Sequence, residues 1–367
     1  MWSLIPNGTS PYNLSLFGGE PLFTRRGEDK VFNLITQIVV YEEESMLGPL
    51  FILSFALAFF ICLLLLPRYI KRAHEVGMVG LDVHKPNTPE VAESGGVVLM
   101  LAYLIGLFAF IPFVGNVLEE EIIGTAATVI LSSFIGFIDD VYETSWKIKI
   151  LTPLICGVPL AVMSLGRTTM WIPGFREPVD FGIFFYFVIL PLIVTACANA
   201  VNMFAGLNGL EAGSMAIMAF ALSVLCLLKG GKQLTGAFIL IPFLGAVIAF
   251  LFYNRYPSRV FPGDVGTFGM GSVVACVAML AYLERAVFFM FIPHTVNAIL
   301  FFVGKLRGEE PPKEAPMRSD GTIPAPTMWS FRCLLLRIRP LKERELVYVM
   351  WTAVAVFSVA GTLVYGV

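Results

Sequence analysis

What most limits this chain is a series of ten apolar runs, each near the roughly 20 residues that cross about 30 Å of hydrocarbon as a helix. They fall at 48–66, 94–114, 119–138, 149–166, 181–201, 212–228, 234–253, 265–283, 286–304 and 346–366. Within a bilayer every backbone N–H and C=O must be satisfied inside the protein, so only helices or closed barrels span it. Runs this long and continuous select helices. Composition agrees: 57% of the 367 residues are hydrophobic and 14% charged, against about 45–50% and about 25% in soluble domains. The expected fold is an all-α polytopic membrane protein of about ten transmembrane helices. Residues 1–45 form an outer N-terminal segment and 46–367 a single ten-helix membrane domain. The N-terminal segment lacks the charged start and compact apolar core of a cleavable signal peptide. Within it, QIVVYEEE reads as an amphipathic segment or a tether.

Positive charge orients the helices. Of the 25 Lys and Arg, 17 lie in the loops after the odd-numbered runs, five in the loops after the even-numbered runs and three in the N-terminal segment. The positive-inside rule places the odd loops, including 305–345, in the cytoplasm and both termini outside. The sequons Asn7-Gly-Thr9 and Asn13-Leu-Ser15 then lie on the outer side. The six cysteines sit mostly inside apolar runs without disulfide or metal-ligand spacing and read as small core residues. A net charge of −2 without a basic tract gives no sign of nucleic acid as a partner.

The polar residues are distributed on one side. Outer loops such as VGNVLEEE and KGGKQLTG are bland, whereas the inner loops carry carboxylates, asparagines and glycines at the ends of spans. In GFIDDVYETSWKIK, two adjacent aspartates end an apolar run although a charge at bilayer depth costs roughly 2.5–3.5 kcal/mol or more. Asp139, Asp140 and Asp264, with the carboxamide of Asn202, form the hard-oxygen set that Mg2+ prefers, and Mg2+ commonly completes its shell with substrate phosphates. Lys149, Arg255 and Arg259 can meet phosphate oxygens. On a helix Asn199 and Asn202 share a face. Glycine-rich turns at helix starts suit anionic ligands. Each feature alone has a blander reading: a DD pair as a solvated cap, glycine-rich turns as turns, His294 as a satisfied polar group between helices. Their gathering on one side points to phosphoryl transfer involving a lipid. The rival from another class is a nucleotide-sugar transporter, which would place ionisable residues near the bilayer midplane.

Asp139-Asp140 followed by Lys149, the stretch NAVNMFAGLNGLEAG and the stretch YPSRVFPGD together resemble the polyprenyl-phosphate N-acetylhexosamine-1-phosphate transferase family, over about residues 67–294. The likeness is nearest its eukaryotic and archaeal GlcNAc branch. It implies a ten-span catalytic domain in the endoplasmic reticulum or an archaeal plasma membrane, with the active-site loops cytoplasmic, and a homodimer. The implied reaction is transfer of GlcNAc-1-phosphate from UDP-GlcNAc to a polyprenyl (dolichyl-type) phosphate, giving UMP, as the first step of lipid-linked oligosaccharide assembly for N-glycosylation. Transfer of MurNAc-pentapeptide or GalNAc phosphate is the alternative within the class. The resemblance puts Mg2+, or Mn2+ in its place, on Asn202 and Asp264, with Asp139 and Asp140 beside it in a proton-accepting or tuning role. Lys149 would meet the lipid phosphate, with Asn199 lining that site. The UDP-sugar would touch Leu81, Asp82, Val83, Glu93, Gly206, Asn208 and Phe261, with Asn208 at the uracil edge and Phe261 stacked on it. The family's sugar-binding cations in the loop after the ninth span have Lys313 and Arg318, in PPKEAPMRSDG, as counterparts.

Overall fold

A computed structural model describes residues 28–142, 146–175, 177–309 and 316–366. The sequons and Lys313 lie outside them. The chain divides after residue 49 into two units. The described part of the first is the opening of helix α1 (Glu28–Val76), so QIVVYEEE is helical.

Among the described residues eight helical stretches are long and apolar enough to span a membrane. They are residues Leu47–Val76 of α1, α2 (Gly96–Phe108) with a 3-10 turn to Phe113, α3 (Asn116–Tyr142), a stretch Phe185–Phe204 ending in α6 (Leu190–Phe204), α7 (Leu210–Lys229), a stretch Gly231–Asn254 ending in α8 (Leu234–Asn254), α9 (Gly263–Leu280), and α13 (Glu343–Gly366) up to Tyr365. The run expected at 286–304 is a bent pair, α10 (Glu284–Met290) and α11 (Ile292–Leu306), which meet at 62°. Pro293 in the first turn of α11 has no N–H to continue the α10 ladder. Counted as one span, this pair makes nine.

The run expected as the fourth span, 149–166, is broken into short helical segments. It is α4 (Trp146–Leu151), a 3-10 stretch Thr152–Gly157 and α5 (Val158–Val162). Pro153 and Pro159 each open a new segment, and Gly157 lies between them. Apolar length set the expectation; the missing proline N–H groups decide the outcome. A second difference is at the end of α3, which runs beyond 138 through both aspartates to Tyr142.

Helix α9 is the buried axis of the larger unit, with nearly every residue inside. Glycines let its neighbours reach its backbone. A Cβ on Gly136 of α3 would lie 2.3 Å from the carbonyl oxygen of Asp264, and one on Gly96 of α2 would lie 2.3 Å from the Cα of Gly266. Small residues at helix contacts allow this closeness in membranes. Two short hairpins flank the bundle. Strands β1 (Val79–Leu81) and β2 (Glu90–Ala92) are antiparallel, with Val79 opposite Ala92, and Ala92 continues into a parallel bridge with Val260. Strands β3 (Thr169–Met170) and β4 (Val179–Asp180) form the other. The remaining helix, α12 (Phe331–Ile338), is capped by Ser330, whose hydroxyl accepts from the Cys333 N–H. All six cysteines are buried and free, as small core residues.

Candidate active site

The start of α9 is fixed by three backbone hydrogen bonds. The N–H groups of Phe261, Gly95 and Gly96 donate to the carbonyls of Ala92, Phe261 and Pro262, stitching the entry of α2 to the entry of α9. Gly263 has φ +66, and a Cβ there would meet Asp140 Oδ2 and the Cα of Ser94, so the turn requires glycine. Asp140 then accepts the N–H groups of Asp264 (2.7 Å) and Val265 (3.3 Å) and the hydroxyl of Ser94 (2.8 Å). Helix N-termini leave such N–H groups unpaired and carry positive partial charge. Asp140 is therefore a cap supplied by a neighbouring helix.

Its neighbour Asp139 is turned elsewhere. The Lys149 ammonium bridges Asp139 Oδ2 (2.5 Å) and Asp264 Oδ2, and Asn202 Nδ2 donates to Asp264 Oδ1 (2.5 Å) and Thr267 Oγ1 (2.9 Å). Burial lowers the Lys149 pKa, but Asp264 and Asp139 outweigh it and hold the ammonium above its ordinary value. Residues from α3, α4, α6 and α9 thus converge on Asp264.

Asp264 also opens onto a cavity of about 290 Å³, at the lower edge of the range of ligand pockets, roughly 300–1,000 Å³. The expected residues Leu81, Asp82, Glu93, Asp140, Gly206, Asn208, Phe261 and Asp264 line it. Five carboxylates face this space: Asp82, Glu93, Asp140, Glu211 and Asp264. An anionic ligand entering such a wall needs added positive charge. The hard oxygens of Asp264 and of the Asn202 carboxamide, once rotated to present its oxygen, fit a divalent cation that keeps other positions for water and phosphate.

A second network braces the far wall. Lys85 pairs with Asp82 (3.1 Å) and with Glu343 at the start of α13, all nearly fully buried. Glu343 accepts the Asn208 N–H (2.8 Å), Asn208 Nδ2 donates to Asp82 (3.0 Å), and Asn208 Oδ1 accepts the Ser258 N–H (2.8 Å). Among the described residues Asp82, His84 and Glu343 are the one trio of acidic, His or Cys side chains close enough to share a metal ion. The Lys85 ammonium already pairs with both carboxylates there, so we read the trio as a buried ion-pair cluster. Burial and the charge of Arg332 lower the His84 pKa to about 4, so the imidazole is neutral at physiological pH.

Several expected residues stand off the cavity wall. Val83 is half-buried in the turn after β1. Asn199 is buried on α6, its Nδ2 donating to the Thr195 carbonyl (3.0 Å). Arg255 and Arg259 line a different cavity. His294, expected as a satisfied polar group, is buried between the rings of Phe204 (4.2 Å) and Phe291 (5.0 Å), and its Nδ1 has no hydrogen-bond partner among the described residues. Sequence reading missed Ser94, His84, Thr267, Lys85, Glu343 and Glu211, whose carboxylate accepts the Gly206 N–H (2.6 Å). Two carried a signal: Thr267 is one helical turn from Asp264, and Glu211 lies three residues beyond Asn208.

Comparison with known proteins gives the same reading at a coarser level. Residues 122–282 match the family model described as glycosyl transferase family 4. A Saccharolobus solfataricus protein, provisionally named a UDP-N-acetylglucosamine–dolichyl-phosphate N-acetylglucosaminephosphotransferase, is 30% identical over 85% of this chain and 96% of its own. The Dictyostelium discoideum protein of that name is 30% identical over 77% of this chain and 80% of its own. A phospho-N-acetylmuramoyl-pentapeptide-transferase of Halalkalibacterium halodurans is 27% identical over 77% and 92%. By these matches, and by the motifs that line its polar cavity, this multi-pass membrane chain belongs to glycosyl transferase family 4, among the polyprenyl-phosphate N-acetylhexosamine-1-phosphate transferases.

Proposed function

We propose that the protein transfers GlcNAc-1-phosphate from UDP-GlcNAc to a dolichyl-type polyprenyl phosphate, releasing UMP. The observation that carries this is the convergence on Asp264 of a half-buried lysine, a carboxamide and a polar cavity at the ends of membrane spans. The named relatives with this activity support the same substrates. An oxygen of the lipid phosphate attacks the β-phosphorus of the nucleotide sugar, and the bond from that phosphorus to the bridging oxygen breaks, leaving with UMP. The lipid phosphate is already largely ionised near pH 7, so alignment and charge neutralisation matter more than a strong base.

Lys149 orients the attacking phosphate while Asp139 holds its ammonium in place. Asp140 fixes the turn that presents Asp264. Phe261 and the loop from Gly206 to Asn208 receive the uridine. Asp264 and Asn202 would hold Mg2+, or Mn2+, which when bound neutralises charge on the pyrophosphate oxygens. The lipid chain has a path along α6: Ile193, Cys197 and Ala200 line an apolar groove of about 510 Å³, shared with Phe288 and Phe291, one turn from Asn202. The basic loops face the cytoplasm of an endoplasmic reticulum or archaeal plasma membrane, and the protein works as a homodimer.

The test is UMP release by purified protein in detergent from UDP-GlcNAc and a short polyprenyl phosphate. Release should require the lipid, vanish with EDTA and return with Mg2+, and be lost in Asp264→Ala at an unchanged folded yield. Lipid-independent release, or full activity of Asp264→Ala at limiting Mg2+, defeats the assignment.

A further inference from the structure

Arg255 and Arg259 carry phosphate-binding chemistry that the catalytic cavity does not use. With Arg344 they line a second cavity of about 760 Å³, between the end of α8 and the start of α13. Among the described residues no carboxylate pairs with any of the three. Aromatic rings hold them instead. The Arg259 guanidinium lies 4.5 Å from the Tyr253 ring centroid and that of Arg255 5.7 Å from Phe252, while Arg344 Nε donates to the Tyr348 hydroxyl at 3.0 Å. Most of their N–H donors stay available for an anion, and the guanidinium fork matches phosphate oxygens.

The location selects the anion. Asn254 ends one candidate membrane span and Glu343 begins another, so the cavity lies where two spans meet the headgroup layer. Its remaining wall is aromatic and apolar, with Phe252, Tyr256 and Tyr348 exposed on the outside of the bundle. Aromatic side chains at that depth are the usual interfacial anchors. A phosphate dissolved in water would gain nothing from this wall, whereas acyl chains would lie along it.

We propose that this cavity binds the headgroup of an anionic phospholipid, at a site separate from the catalytic one. The two cavities stand back to back: Asn208 lines both, and Tyr256 packs against the Lys85 ammonium, 4.2 Å from its ring centroid. The occupant therefore braces the loop that carries Asn208.

The experiment compares the wild type with the triple variant Arg255→Gln, Arg259→Gln, Arg344→Gln in detergent. Each is titrated with phosphatidylglycerol, phosphatidylcholine or glycerol 3-phosphate and followed by thermal unfolding. Phosphatidylglycerol alone should raise the wild-type midpoint. Each lost arginine should raise the lipid concentration for half-maximal effect by about five-fold. An equal response to phosphatidylcholine overturns the proposal, as does an equal response of the triple variant. Equal stabilisation by glycerol 3-phosphate overturns the lipid assignment in favour of a free-phosphate site. Arg344→Gln alone, at an exposed position, carries the same comparison where the triple variant does not fold, and native mass spectrometry of retained phosphatidylglycerol reads it without unfolding.

Discussion

Replacing Gly136 with alanine should disable the protein through one added methyl group. Gly136 lies on α3 one turn before Asp139-Asp140, and its Cβ would sit 2.3 Å from the Asp264 carbonyl oxygen, 2.5 Å from its carbonyl carbon and 2.6 Å from the Val265 nitrogen. Ordinary contact begins near 3.4 Å, so the first turn of α9 must retreat by about 1 Å. These are backbone atoms, and no rotamer change relieves the clash. Retreat is blocked from behind, because Gly96 already touches the backbone of Gly266. Overpacking of this kind costs about 1–3 kcal/mol, and the better helix propensity of alanine returns at most about 1 kcal/mol. The larger effect is on chemistry: a displacement of about 1 Å in a positioned group costs on the order of 100-fold in rate.

The assay is initial UMP release at saturating substrates, normalised to monodisperse protein. Gly124→Ala is the matched control on the same helix, since its Cβ would press on Leu165 Cδ1 at 2.4 Å, the end of a side chain that can rotate away. Gly136→Ala should lose about 100-fold in turnover, while Gly124→Ala stays within about two-fold of wild type. Turnover of Gly136→Ala at more than about half the wild-type value would refute the claim that the approach of α3 to α9 sets the position of Asp264.

Two further outcomes follow from the buried charges. Lys85→Met removes the cation that the buried Asp82 and Glu343 carboxylates share and should destabilise by about 3–5 kcal/mol; a loss below about 1 kcal/mol in thermal unfolding would show the cluster to be unimportant. His84 titrates near 6.5 when unfolded and at about 4 when folded, so the unfolded chain takes up its proton first as pH falls. Its contribution is fully present above about pH 6.5 and is lost on acidification towards pH 4, by about 3 kcal/mol in all. His84→Gln should flatten stability in that window, and an unchanged pH profile would remove the assignment.

What the sequence made legible was whatever local pattern carries. Apolar length identified most of the spans, and the family resemblance carried by NAVNMFAGLNGLEAG and YPSRVFPGD pointed to Gly206, Asn208, Phe261 and Asp264, all of which line one cavity. Partnerships across long separations were not legible. Lys85 and Glu343 are 258 positions apart, and nothing local in either segment announces the pairing. The break at 149–166 was hidden because hydropathy does not register the missing N–H of Pro153 and Pro159. Arg255 and Arg259 were placed by charge type alone, and charge type does not say which side of the Asn208 wall an exposed guanidinium lies on.

The adjacent aspartates show why two carboxylates are tolerated at the end of a membrane span. A helix C-terminus is the wrong place for a negative charge, because its unpaired carbonyls already present one. Successive residues on a helix point about 100° apart, so the two side chains reach different neighbours. Asp140 reaches the N-terminus of α9, where the helix dipole favours an anion and two N–H groups await an acceptor. Asp139 reaches the Lys149 ammonium. Both lines then arrive at Asp264, one through its backbone N–H and the other through the lysine that its carboxylate shares. The two side chains therefore act on Asp264 from different sides. Asp140 fixes where Asp264 is, and Asp139 fixes the cation that faces it. Each charge is satisfied by a partner in its own direction, so neither aspartate can replace the other.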